Sequence, residues 1–196
     1  RFALIRLIGR IGPVALDTVR KCLEDERWYV VRNACKLLVH LKDPELLSRL
    51  SPVLHHQEER VQKAALDAIR ESRNPERAAV IAGALPFLKP QPREEALNEL
   101  LFLRDPASIP ALEQLLFADS KGTSQIACAQ AIAAIKGQEA ERALLHILSS
   151  PSLTMPARRM ALNALTRAKS PAVEQAIRQY AEAAPNDPMA REMRSE

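Results

Sequence analysis

Hydrophobic positions along the chain recur at helical spacing, in blocks separated by short polar breaks. One block places Val31, Ala34, Cys35 and Leu38 on one side of a helix, and comparable blocks follow further along the chain. Ala and Leu dominate the apolar residues, and such side chains lose little conformational freedom in a helix. The pattern therefore predicts an all-α fold.

A two-residue marker recurs at a nearly constant interval. It pairs a small or polar residue, in most copies, with a following proline, and it occurs at Gly12-Pro13, Asp43-Pro44, Asn74-Pro75, Asp105-Pro106, Gly137-Gln138 and Ser170-Pro171. The intervals are 31, 31, 31, 32 and 33 residues. Gly, Asp, Asn or Ser can end one helix and cap the next, and proline at the first helical position already has the required φ. Each marker therefore predicts the start of a helix.

The markers and the polar breaks together predict a series of helix pairs. The first helices are expected at 13–23, 44–54, 75–85, 106–117, 138–148 and 171–183, with kinks or delayed starts at Pro52 and Pro110. A second helix follows each of the earlier ones. Because each helix is short and apolar on one side, the pairs must stack on their neighbours to bury that side. This predicts an α-solenoid, a superhelical stack of about five to six antiparallel helix pairs.

The repeat also resembles a known family. The segments "RWYVVRNACKLLVHLKDPELLSRLSPVL" and "ERVQKAALDAIRESRNPE" are similar to the HEAT-like repeat family, in particular to short HEAT repeats of the phycobilisome-lyase type. They share the pattern V-R-x-A-A-x-x-x-L followed by a D-P turn. The resemblance implies a solenoid over residues 1–183, followed by a polar C-terminal tail, 184–196, expected to be frayed. It implies little about function, because such repeats serve many roles.

The alignment of the first residues suggests how the chain begins. Placing "RFALIRLIGRIGP" on "RNACKLLVHLKDP" sets Arg1 opposite Arg32, one turn inside a second helix. The chain is therefore expected to be the C-terminal part of a longer protein. An uncovered apolar face at Phe2, Leu4 and Ile5 would allow self-association through this end.

Composition and charge narrow the functional classes. The 196 residues carry a net charge of +4, and the first 98 hold 17 basic and 13 acidic residues whereas the last 98 hold 11 of each. This small surplus is a weak nucleic-acid signal. Cys22, Cys35 and Cys128 form no CxxC pair, which favours buried thiols in a reducing compartment, here the cytoplasm. No run of apolar residues is long enough to predict a membrane partner.

We find no pattern of residues that predicts catalysis or a cofactor. The sequence contains no glycine-rich phosphate loop, no HExxH and no G-x-S-x-G, and it predicts no metal site. His55-His56 fits a solvated turn, with a metal or proton role as the alternative, because neighbouring side chains rarely converge on one metal. The sequence therefore favours a protein that is not an enzyme.

The second helices provide the predicted binding surface, which in the resembled family is the concave face. The protein-binding residues expected there are Trp28, Tyr29, Arg32, Lys36, Lys63, Arg70, Glu94, Glu95 and Glu99. At 100° per residue, Asn33, Lys36 and His40 point away from the core, as do Gln62, Lys63, Leu66 and Arg70 one repeat later. Two alternatives stay open: the charges form ordinary solvated faces, and the aromatic pair packs against inter-helix turns instead of anchoring a partner.

These observations favour a protein-protein interaction scaffold. Its charged concave surface would hold a protein partner or a neighbouring domain of the same longer chain. A nucleic-acid-binding repeat protein and a bilin-lyase-like enzyme are the alternatives. A basic ridge through every repeat would favour the first of these, but Glu94, Glu95 and Glu99 interrupt it.

Overall fold

The computed structural model describes residues 15–168 and 170–195, which form helices joined by short turns. The α-helices of these residues are α1 Leu16–Lys21, α2 Trp28–His40, α3 Leu46–Leu50, α4 Glu59–Ser72, α5 Arg77–Ala84, α6 Pro90–Leu103, α7 Ile109–Ala118, α8 Gln125–Ala134, α9 Gln138–Ser149, α10 Met155–Ala168, α11 Pro171–Ala183 and α12 Pro188–Ser195. Short 3₁₀ turns lie at Cys22–Glu24, Pro52–His55 and Pro106–Ser108. No strand occurs among the described residues, and the predicted all-α solenoid is confirmed.

The chain divides into two compact units, Arg1–Ala96 and Leu97–Glu196. In the first unit, α1 packs on α2, α3 packs on α4, and α2 lies beside α4. In the second unit, α7 packs on α8, α9 packs on α10, and α8 lies beside α10. Odd-numbered helices are therefore the first members of the pairs and even-numbered helices the second. Neighbouring pairs cover one another's apolar sides, as a repeat of one-sided helices requires.

The repeated marker caps helices as predicted. The side-chain Oδ1 atoms of Asp43, Asn74 and Asp105 accept the backbone N–H two residues further on, at 2.9, 2.8 and 2.9 Å. These bonds satisfy N–H groups that would otherwise lack a partner at the start of a helix. At Asp43 and Asn74 the regular helix starts three residues after the marker's first residue, because the capped turn occupies the positions in between.

A basic residue in the left-handed conformation precedes each of these three markers. Lys42, Arg73 and Arg104 have φ values of 53°, 52° and 55°. At Lys42 two bonds close the end of α2, since its N–H donates to the Val39 carbonyl and the Asp43 N–H donates to the Leu38 carbonyl. This is the Schellman arrangement, which usually has glycine at that position. A positive side chain there interacts favourably with the helix C-terminus.

We predict that Arg73 tolerates glycine and rejects a β-branched residue. Arg73→Gly should change the free energy of unfolding by no more than about 1 kcal/mol, because relief of the positive φ offsets the greater freedom of the unfolded chain. Arg73→Val should cost about 1–2 kcal/mol more than Arg73→Gly, since its branched side chain is strained at this φ. Urea denaturation of the two variants measures the difference. Equal stabilities would contradict the assigned backbone conformation.

The two internal prolines act differently. Pro52 ends the regular helix, so that the predicted helix 44–54 is divided into α3 and a 3₁₀ turn at Pro52–His55. A proline cannot donate the hydrogen bond that would continue the helix. Pro110 lies in the first turn of α7, where a missing N–H has no cost. The predicted kink or delay is therefore seen clearly at Pro52.

The carboxyl-terminal segment differs from the frayed tail expected for residues 184–196. Residues 188–195 form α12, which packs on α10 and α11 and buries Met189 and Ala190 completely. The Oδ1 atom of Asp187 accepts the Met189 N–H at 2.8 Å, so Asp187-Pro188 is a further copy of the capping marker. Its shorter spacing of 17 residues from Ser170-Pro171 hid it in the repeat comparison.

The amino-terminal segment up to residue 14 lies outside the described residues. The predicted second helix at Arg1 and the self-association expected through Phe2, Leu4 and Ile5 fall within it. Both stay predictions.

Candidate protein-binding surface

The start of α2 positions the predicted aromatic pair. Asp25 accepts hydrogen bonds from the backbone N–H and the guanidinium of Arg27, at 2.7 to 2.9 Å, and this local turn is followed at once by Trp28. The Arg27 guanidinium and the turn N–H hold the pKa of Asp25 down at about 2. Trp28 and Tyr29 meet edge to face, with ring centroids 6.0 Å apart. Tyr29 is 46% exposed, so one aromatic side chain of the pair is accessible.

Two guanidinium groups flank the Trp28 indole. The Cζ atoms of Arg32, on α2, and of Arg60, on α4, each lie 5.1 Å from the centroid of the ring. A cation at this distance from an indole face is attracted by the ring's electrons. Sequence reasoning placed Trp28 and Arg32 on the surface but missed Arg60. Arg60 lies 32 residues beyond Trp28 on the adjacent helix, and no local pattern signals that the two meet.

Four of the predicted residues surround Asp67, which the sequence prediction omitted. Burial raises the pKa of Asp67, Glu95 adds to the rise, and Lys63, Arg70 and Lys36 oppose it. Arg70 Nη1 lies 3.8 Å from the Asp67 carboxylate. The spacing carried a signal, since Asp67 follows Lys63 by four residues and precedes Arg70 by three, which places all three on one helix face.

Lys63 and Glu95 pair with each other across α4 and α6. The Glu95 carboxylate raises the pKa of Lys63 above its ordinary value. Their side chains are 43% and 24% exposed, so solvent screens the pair and its contribution to stability is small. Glu94, the neighbouring residue, is exposed. Glu99 belongs to the second unit and lies one turn further along α6.

The predicted face of α4 was partly wrong. Gln62 and Leu66, expected to point outward, are 1% and 0% exposed. The α4 helix is therefore rotated relative to the simple projection, and Asp67 takes the outward place assigned to Leu66. On α2 the projection holds, since Asn33 and His40 are exposed and Lys36 is partly so.

One polar position recurs near the start of every second helix. It lies three residues before a buried small residue and is occupied by Arg32, Gln62, Arg93, Gln125 and Arg158. In the last four helices its side chain donates to backbone carbonyl groups of inter-helix turns and helix ends. We call Gln62, Arg93, Gln125 and Arg158 the clamp residues, because each fixes backbone that no regular helix bond satisfies.

Gln62 shows the clamp most completely. Its Nε2 donates to the carbonyls of His56 at 2.9 Å and Phe87 at 3.1 Å, and its Oε1 accepts the Lys89 N–H at 2.8 Å. The amide thus connects the turn within its own helix pair to the same turn of the next pair. Gln125 does the same in the second unit, bonding the Asp119 carbonyl and the Thr154 N–H, both at 2.9 Å.

Arg32 occupies the same position without the clamp bonds. Arg93 Nε donates to the Leu85 carbonyl at 3.2 Å and Arg158 Nε to the Leu148 carbonyl at 2.8 Å. The Arg32 Nε is buried and has no hydrogen-bond partner among the described residues. Its only recorded bond is from Nη2 to the Asn33 side chain, at 3.2 Å. The Trp28 ring has drawn this guanidinium away from the backbone.

The histidines and cysteines do not converge. His55 stacks on Phe87 with ring centroids 4.1 Å apart, and His56 Nδ1 accepts the Glu58 N–H at 2.9 Å. Cys35 and Cys128 are buried as expected, and burial raises the pKa of Cys35 to about 12. Within residues 15–168 and 170–195, no three His, Cys, Asp or Glu side chains are placed to hold a metal ion. In the same ranges, every helix is too short or too polar to span a bilayer.

Comparison with known proteins supports the repeat prediction for the first part of the chain. The family model described as HEAT repeats matches residues 1–70 and, in an overlapping match, residues 16–88. No curated protein matches the chain significantly. The matched residues include α1 to α5, which carry the V-R-x-A-A pattern and the D-P turns. The first 88 residues are therefore similar to HEAT repeats, and the chain is supported as HEAT-like.

Proposed function

We propose that this chain is a protein-protein interaction scaffold whose working surface is the charged cluster of Lys36, Lys63, Asp67, Arg70 and Glu95. HEAT repeats generally serve as protein-interaction scaffolds. The observation that carries the proposal is the arrangement around Asp67, where side chains from three neighbouring second helices bring charges of both signs together. A regular, rigid stack of helices holds such side chains at fixed spacing.

The cluster suits an extended, charged protein segment. Lys36 on α2 presents positive charge, Glu94 on α6 presents negative charge, and the Lys63–Glu95 pair lies between them. Such a two-signed surface favours one direction of a bound segment, with its acidic end near α2 and its basic end near α6. Complementary charge raises the association rate and fixes register, while exposed pairs add only about 0.2–1 kcal/mol each.

Further properties belong to the same proposal. We place this surface on the concave side of the helix stack and include Trp28, Tyr29, Arg32 and Glu99 in it, as the sequence predicts. The partner is a separate protein or a neighbouring domain of a longer chain, and the role is not catalytic. The free thiols of Cys22, Cys35 and Cys128 support a cytoplasmic location. The V-R-x-A-A pattern supports repeats of the phycobilisome-lyase type.

Charge reversal tests the surface. With a partner isolated on the wild-type protein and then purified, Lys36→Glu/Lys63→Glu should slow association about threefold to tenfold, because the steering charge changes sign. The dissociation rate should change less. Stopped-flow or biosensor kinetics at two salt concentrations measure both rates.

The control is Lys21→Glu/Lys136→Glu, which makes the same change in net charge at two exposed positions outside the cluster. Arg20 is unsuitable as a control because its guanidinium bonds the buried Asp43 carboxylate, through Nε at 2.9 Å. Equal association rates for the two double variants would contradict the proposed surface. Tight, steeply salt-dependent binding of generic duplex DNA by the wild-type protein would favour nucleic acid instead.

A further inference from the structure

The internal repeat isolates Arg32 as the arginine that has lost its structural partner. At the equivalent position, Arg93 and Arg158 direct Nε to the carbonyl of a preceding first helix. Arg32 has no such bond, although its Nε is equally enclosed, among the residues that the structure describes. A buried donor without an acceptor is costly, and proteins keep few of them. An acceptor supplied by another molecule would satisfy it.

We propose that Trp28, Arg32 and Arg60 form a binding site for one carboxylate side chain of a protein partner. The inference rests on the proposed function and names the chemistry that this end of the surface recognises. Arg32 provides the fork of Nε and Nη2, whose geometry matches the two oxygens of a carboxylate. Arg60 provides a second positive charge on the neighbouring helix, and the indole holds both guanidinium groups near its ring.

The surroundings favour a single carboxylate over a polyanion. Arg60 lies 3.7 Å from Glu58, and Arg27 is bound to Asp25 at 2.7 Å. Glu26 and Glu59 add two further negative charges in the adjacent sequence. A nucleic-acid backbone requires successive cations along its path, and these carboxylates would repel it. One acidic side chain between two guanidinium groups needs no such track.

Trp28 makes the site directly observable, because it is the only tryptophan in the chain. The probe is a tetraglutamate peptide with both ends blocked, titrated into the intact chain at constant ionic strength while tryptophan fluorescence is recorded. We expect a saturable fluorescence change with tetraglutamate and none with the blocked tetraglutamine peptide. Arg32→Gln should raise the dissociation constant for tetraglutamate at least about tenfold, because both fork donors are lost.

Two variants separate the fork from simple charge. Arg32→Lys keeps the positive charge but lacks the planar fork, so it should still weaken binding severalfold. Arg142→Gln removes one exposed positive charge in the second unit and should leave the dissociation constant unchanged. Far-ultraviolet circular dichroism and the melting temperature of each variant establish that it is folded.

Three results would overturn the proposal. They are equal binding of tetraglutamine, an unchanged dissociation constant in Arg32→Gln, and tighter, salt-sensitive binding of duplex DNA at Trp28. The Lys36→Glu/Lys63→Glu experiment fails or succeeds separately, because it reads the partner's association rate and leaves Trp28, Arg32 and Arg60 intact. A surface that fails that experiment while Arg32→Gln abolishes tetraglutamate binding would retain the carboxylate site alone.

Discussion

Arg158→Met is expected to lower the free energy of unfolding of the second unit by about 3–5 kcal/mol. Arg158 is 2% exposed and joins four helices, since it donates to the Leu148 carbonyl of α9, the Tyr180 hydroxyl of α11 and the Asp187 carboxylate before α12. Removing it leaves Asp187, whose side chain is only 10% exposed, without its counter-charge. Urea denaturation followed by circular dichroism measures the loss.

Arg167→Met is the matched control, because Arg167 is an exposed residue of the same helix. It should change stability by no more than about 0.5 kcal/mol. Adding Asp187→Leu to Arg158→Met should recover part of the loss, since the uncompensated charge disappears with it. A loss in Arg158→Met no larger than in Arg167→Met would contradict the assigned contacts.

The same cluster gives the second unit an acid-sensitive contribution to stability. Burial would raise the pKa of Asp187, but hydrogen bonds from Arg158, the Met189 N–H and Tyr180 hold that pKa below its ordinary value. A carboxylate with a depressed folded-state pKa contributes its full stability above the unfolded value, about 3.9. The contribution is lost as the pH falls through the folded-state pKa. Arg158→Met should therefore flatten the acid limb of the stability curve.

Gln62→Leu should cost the first unit about 2–4 kcal/mol, because three buried backbone groups lose their partners. The substitution keeps nearly the same volume and leaves the carbonyls of His56 and Phe87 and the N–H of Lys89 unsatisfied. Thermal or urea unfolding measures the change. Gln57→Leu is the control, since Gln57 is exposed five residues earlier. Equal effects of the two substitutions would show that the clamp is not structural.

The repeat was readable from the sequence because capping is local. Asp or Asn before Pro satisfies backbone groups two residues away, so the two-residue marker is enough to place each helix. The same rule applied to Asp187-Pro188 would have predicted α12. The fixed repeat interval drew attention away from this marker, and the surrounding charged residues favoured a tail.

The candidate surface was less readable because its decisive contacts join neighbouring helices. Lys36, Lys63 and Glu95 were identified from helical projection, which is a local property. The contacts of Arg60 with Trp28 and of Glu95 with Lys63 span about one repeat, and the sequence does not fix side-chain directions over that distance. The burial of Gln62 was missed for a related reason, since a polar residue is expected outside unless its partners are known.

The most direct test compares arginines at equivalent positions of α2 and α6. Arg93 bonds the carbonyls of Leu85 and Leu88, so Arg93→Met should cost about 1–3 kcal/mol in the free energy of unfolding. Arg32 has lost the clamp role and stacks on Trp28, so Arg32→Met should cost less than about 1 kcal/mol. Urea denaturation of the two variants supplies the comparison. Equal losses would show that Arg32 still serves the fold, and would contradict its assignment to binding.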